Sequence, residues 1–116
     1  MAEYKQYITQ IQENGNVMIS EDVVATIVAN AVSEVEGIES LSTKTDLIGK
    51  NKGKGMKILI AEDNSLTIDC NVVIKYGQSV IDVANAVQQS VTNAVESMTG
   101  VKVDVVNVNV CGIARQ

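Results

Sequence analysis

Hydrophobic and polar positions along the chain follow two periods, and each predicts a different element. Period two is clearest in the middle. Leu66, Ile68, Cys70, Val72 and Ile74 alternate with Thr67, Asp69, Asn71 and Lys75, and Val73 is the one break on the polar side. This predicts a strand over 66–76 with one face on a core and one in water, as antiparallel sheets allow. Met56–Ala61 predicts a partner strand, joined to it by the turn Glu62-Asp63-Asn64-Ser65. A last strand is predicted over 101–113. There Val101, Val103 and Val105 alternate with Lys102 and Asp104; then the phase slips, and Val106, Val108 and Val110 alternate with Asn107, Asn109 and Cys111. A one-residue slip marks a β-bulge or bend, and it leaves Cys111 on the polar face while Cys70 lies on the buried one.

Helical spacing governs two other stretches. Behind a Ser20 cap and the acidic first turn Glu21-Asp22, the residues Val24, Ile27, Val28, Ala31 and Val35 form one stripe, and Gly37 supplies a stop. The spacing predicts a helix over 21–35, followed by a short strand at Ile38–Leu41. A second helix starts at Ser79, where Asp82 completes a variant of the capping box, and ends at Gly100. Its apolar stripe reads Val80, Ala84, Val87, Val91, Ala94 or Val95, and Met98. Near the N-terminus, Asn14-Gly15 is a turn signal of the type I′ hairpin kind, which would join Tyr7, Thr9 and Ile11 to Val17–Ile19; a ragged N-terminal segment fits the same residues. The order β-α-β-β-β-α-β predicts an α+β two-layer sandwich, with two helices on one face of a mainly antiparallel sheet. The expected organisation is an N-terminal segment 1–14, one domain 15–113 and a short tail 114–116.

Composition fits a core built on strands. Among 116 residues there are 19 Val and 12 Ile but only 4 Leu, with no Phe, Trp, Pro or His. β-Branched side chains pack well on a pleat, where their stiff χ1 costs least. The lack of His removes the commonest general base and a common metal ligand, so no enzyme, cofactor or metal site is expected. Glu34, Glu36 and Glu39 cluster at a helix end, the usual place for solvated acids, and Asp69 and Lys75 suit cross-strand pairing. Cys70 and Cys111 have neither metal nor disulfide-framework spacing, so two reduced thiols in a cytoplasmic protein are expected. The N-terminus carries no apolar signal core, and no apolar run approaches the ~20 residues of a membrane span.

Charge is unevenly placed. Of nine basic residues, Lys44, Lys50, Lys52, Lys54 and Lys57 lie within 44–57 against a single acid, Asp46. The window carries +4, which leaves −9 on the rest of a chain whose net charge is −5. These five lysines form a candidate interaction loop, since a long Gly- and Lys-rich connection is usually functional or disordered. A phosphate loop is excluded: Ile48 stands where the first Gly of a Walker motif belongs, and Gly55 where its Ser or Thr belongs. A KH-type clamp would need Gly-x-x-Gly between helices, and three Tyr give few stacking platforms, so the chain argues against nucleic acid as a partner.

Several short motifs, in this order and spacing, resemble the alkaline shock protein family of Gram-positive bacteria, also called the general stress Gls family. They are Gly15-Asn16-Val17-Met18-Ile19-Ser20, Val35-Glu36-Gly37-Ile38, Lys54-Gly55-Met56, Tyr76-Gly77, Val95-Glu96-Ser97-Met98-Thr99-Gly100-Val101, and Val106-Asn107-Val108-Asn109-Val110 with Gly112-Ile113. The resemblance spans about residues 15–113. It implies a small non-catalytic cytoplasmic protein of the envelope stress response, a self-associating scaffold or adaptor. Some members are held at the inner face of the membrane by a small membrane-anchored partner. Two other readings remain: a regulatory protein that binds an enzyme of fatty-acid synthesis, as some relatives suggest, and a weak RNA-binding module. The chain departs from the family at Asn109, where a His is common, and in ending three residues past Ile113, short of the polar tail of many relatives.

Overall fold

The computed structural model describes residues 7–41 and 55–115. Its elements are β1 (Tyr7–Gln12), β2 (Gly15–Ser20), α1 (Glu21–Ser33), β3 (Ile38–Leu41), β4 (Met56–Ile60), β5 (Leu66–Lys75), α2 (Val80–Thr99) and β6 (Val103–Ala114). The expected α+β order is present from β2 to β6, and β1 precedes it, paired with β2 in a hairpin.

β5 is the strand on which the sheet is built. One of its edges takes two antiparallel strands end to end, β4 against Leu66–Cys70 and β3 against Val72–Ile74. Its other edge takes β6 in parallel along its whole length. The parallel pair needs a crossover, which α2 provides. The alternation read in β5 is realised: Leu66, Ile68, Cys70, Val72 and Ile74 are all fully buried, while Thr67, Asp69, Asn71 and Val73 lie half-buried on the opposite face.

Both helices start at serine caps, where Ser20 Oγ accepts from Val23 N (3.4 Å) and Ser79 Oγ from Asp82 N (3.4 Å). α1 buries Val24, Ala25, Ile27, Val28, Ala31 and Val32, and ends two residues before the expected Val35. In α2 the buried stripe is Val83, Val87, Val91, Val95 and Thr99. This corrects the expected stripe. Val80 and Met98 are exposed, Met98 at 71 %, because the helix lies on the sheet along a strict i, i+4 row rather than a mixed i+3/i+4 one.

The last strand also differs in detail. Its register with β5 shifts twice, between Val103 and Val105 and between Val110 and Gly112. The slip expected near Val105 and Val106 is therefore a bulge at Asp104, and a second bulge at Cys111 had no hydrophobic signature.

The N-terminal hairpin forms with Gln12 opposite Gly15. Its two-residue loop is thus Glu13-Asn14, with the left-handed-side φ of 133° at Gly15 and not at Asn14. The expected type I′ turn centred on Asn14-Gly15 does not form: the loop sits one residue earlier, and neither of its two residues has the positive φ that this turn type requires. A two-stranded ribbon alone is marginal in water, and this one is held to the body, in part by Ile19 packing against the core. Ile8 is fully buried in the core, Gln10 Nε2 donates to Thr99 O (2.9 Å), and Asn64 Nδ2 donates to Thr9 O (3.0 Å).

Gly37 and Gly112 give opposite expectations for added side chains. Gly37 has φ 99°, and a Cβ there would stand 2.8 Å from Val83 Cγ2, a branched side chain of the core stripe. Gly37→Ala is expected to cost about 1–3 kcal/mol. At Gly112 the nearest atom is Val73 Cγ2 at 4.0 Å, so Gly112→Ala should be neutral or stabilise by up to about 1 kcal/mol. Urea unfolding of the two variants side by side checks both signs.

Candidate interaction surface

The helices cover one face of the sheet, and the other face carries transverse polar rows. Lys57 of β4 is the register partner of Asp69, and Asp69 Oδ1 accepts from Asn107 Nδ2 of β6 at 2.7 Å. One row therefore crosses three strands. In the next, Asn109 Nδ2 donates to Asn71 Oδ1 at 3.0 Å. The parallel register produces both contacts by setting Asp69 against Asn107 and Asn71 against Asn109. Sequence alternation puts these residues on the wet face, but only the register shows which of them touch.

The lysine-bearing segment is rooted in this sheet at one place. Leu41, at the end of β3, is the partner of Val72. Gly55, at the start of β4, accepts through its carbonyl from Asn71 N at 2.8 Å. The chain thus leaves and rejoins the fold at adjacent positions on the edge of β5. Of the five candidate lysines, Lys57 is exposed on β4 beside the polar row. Lys44, Lys50, Lys52 and Lys54 lie outside the described residues.

Other chemistry is sparse. Among the described residues no three Cys, Asp or Glu side chains gather as a metal cluster would require. No helix among them is long and apolar enough to cross a membrane. A groove of about 320 Å³ runs between the helices past Ile27, Ala31, Ala94 and Met98, with Glu34 the one titratable residue among the described residues that line it. The thiols are opposites. Burial, and secondarily the charge of Asp69, push the Cys70 thiol up to about 12, which leaves a small hydrophobe with little thiolate. Cys111 is exposed at the second bulge.

A family model described as the alkaline shock protein 23 family, of cell envelope-related function, matches residues 9–115. The uncharacterized protein Spy1535 of Streptococcus pyogenes is 36 % identical over 105 residues, covering 88 % of this chain and 81 % of its own. The uncharacterized protein YqhY of Bacillus subtilis is 32 % identical over 105 residues, with 85 % and 77 % covered. Among solved structures, a double variant of the MamM CTD superposes with a TM-score of 0.58 at 11 % identity, covering 83 % of both chains. A single variant of the same CTD gives 0.54, also at 11 %, over 82 % of this chain and 94 % of the other. At such identity the likeness is one of fold.

The two thiols give a direct test of packing at β5. In native protein at pH 8 a thiol reagent such as DTNB should titrate one sulfhydryl rapidly, and two after denaturation; Cys111→Ser should abolish the fast one. Because the folded thiol of Cys70 titrates above the unfolded one, its contribution to stability is complete below about pH 8.5. It should decline as pH rises toward 12, by about 1.4 kcal/mol per unit. Cys70→Val should show a shallower alkaline loss than the parent.

Proposed function

The chain belongs to the alkaline shock protein 23 family, whose function is cell envelope-related, and from that premise we propose that it is a non-catalytic, self-associating scaffold or adaptor. It works at the inner face of the membrane, where a small membrane-anchored partner would hold it. One observation carries this reading. The residues on either side of the segment 42–54 sit at adjacent points of β5, through Leu41 opposite Val72 and Gly55 bonded to Asn71. Whatever its shape, a window of +4 is therefore tethered at one place on a body of −9. Opposite charges on different parts of one surface favour head-to-tail contacts, and such contacts propagate when the rotation between neighbours does not close a ring. They are also screened by salt.

Lys50, Lys52 and Lys54 are the residues we assign to this contact, with Lys44 and Lys57 at its margins. Replacing the three with Ser should leave the unfolding midpoint within about 0.5 kcal/mol of the parent, as for surface changes generally. In sedimentation velocity the parent should grow into larger species at low salt and shrink at high salt, and the triple variant should lose most of that growth. Salt-independent assembly that survives the triple substitution would exclude the lysines as its cause.

A further inference from the structure

We propose that the C-terminal part of β6, residues 108–113, is a self-pairing edge through which two copies of the chain join antiparallel. The inference rests on the self-association just argued and locates a second contact for it.

Backbone directions along β6 can be worked out from its ends. Lys102 O accepts from Leu66 N and Ala114 O from Tyr76 N, so both face β5. Alternate residues of a strand turn their N–H and C=O to opposite edges. Each of the two bulges reverses the phase. Val103, Val106, Val108, Val110 and Ile113 therefore turn their backbone groups away from β5, where no strand of the described residues pairs.

α2 guards only the first part of this edge. Glu96 Oε2 accepts from Val103 N at 2.9 Å, and Gln88 Nε2 donates to Val106 O at 3.0 Å. These side chains lie two helical turns apart and reach the only outward groups that have a partner among the described residues. Val108, Val110 and Ile113 are left open. The other open edges of the sheet are short and charged, with Glu39 in the four residues of β3 and Lys57 in the five of β4. Such features discourage pairing. From Val105 to Ile113 there is neither a charge nor a proline.

Charge and side-chain pattern select a second copy in antiparallel orientation as the occupant. Arg115 lies just past the strand, held over the Tyr76 ring at 5.2 Å, and Asp104 lies near its start. Antiparallel pairing carries each Arg115 toward the acidic end of the other strand, whereas parallel pairing would set like against like. With the two-fold between residues 110 and 111, Val108 of each copy comes opposite Ile113 of the other, both on the helix side by their register with Cys70 and Ile74, and the two exposed Cys111 residues lie within one residue of each other at the centre. An edge this short buries less than the roughly 1,000 Å² of a stable interface, so the pairing is weak and depends on concentration.

Oxidation of the full chain with copper–phenanthroline tests the geometry. Two Cys111 thiols lose two protons and two electrons to the copper and oxygen, forming one disulfide. A linked dimer should rise with protein concentration and vanish in Cys111→Ser, while that variant keeps the parent's reversible dimer in sedimentation. Val108→Pro, which removes an outward N–H, and Cys111→Lys, which sets two charges at the two-fold, should each reduce the reversible dimer at least fivefold. Because Cys111 is exposed, Cys111→Lys keeps the test valid if Val108→Pro fails to fold. A reversible dimer that neither crosslinks nor responds to these variants overturns the edge but leaves self-association standing. A monomer at every concentration overturns both. The Lys50, Lys52 and Lys54 triple variant should retain the crosslinked dimer while losing larger species, and loss of the crosslink there would also overturn the proposal.

Discussion

The fold depends on β5 being satisfied on three sides at once. Its inner row of five side chains is sealed beneath both helices, one edge holds β3 and β4 in succession, and the other holds β6 throughout. This strand holds together segments that are remote in sequence. Hydrophobic burial of its inner row stabilises the arrangement most, since a β-branched or leucine side chain removed from water contributes about 1.5–3 kcal/mol before ordering entropy is counted. The backbone hydrogen bonds along both edges add less in net stability, but they set the register, and every transverse contact on the outer face follows from it.

The two contacts assigned to self-association differ in symmetry. Antiparallel pairing of β6 is isologous and closes on itself as a two-fold dimer. A basic segment docking on an acidic body is heterologous and can continue indefinitely. Together they describe dimers that link into chains, with one contact resistant to salt and the other sensitive to it. A protein of this size with no Trp or Phe and little concave chemistry is suited to such a role, because a repeated weak contact needs surface regularity more than a deep site.

Sequence periodicity carried most of the architecture. β5 was legible because its alternation is nearly uninterrupted, and α1 because its cap, acidic first turn and stripe agree. The errors fall where packing chooses between equivalent local patterns. In α2 both Val80-Ala84-Val87 and Val83-Val87-Val91 are acceptable stripes, and only the angle at which the helix crosses the sheet favours the second. The bulge at Cys111 was illegible because Val110, Cys111 and Gly112 fit either phase. The parallel pairing of β5 with β6 was equally hidden, since both strands alternate as antiparallel ones do. The candidate lysines could be read as a charge anomaly from composition alone; that their segment begins and ends side by side on β5 could not. Gln88 and Glu96, which close part of the β6 edge, sit among ordinary polar helix residues and gave no signal.

The shared root of the segment 42–54 has a consequence for how this domain can diversify. Because its two ends are fastened at neighbouring points of one strand, its length is nearly independent of the fold. Doubling such a loop costs only about 0.6 kcal/mol in closure entropy. Insertions and deletions between Leu41 and Gly55 keep both points of attachment on β5 side by side. The position is thus a natural graft point, where the segment can be rewritten by design between two fixed ends.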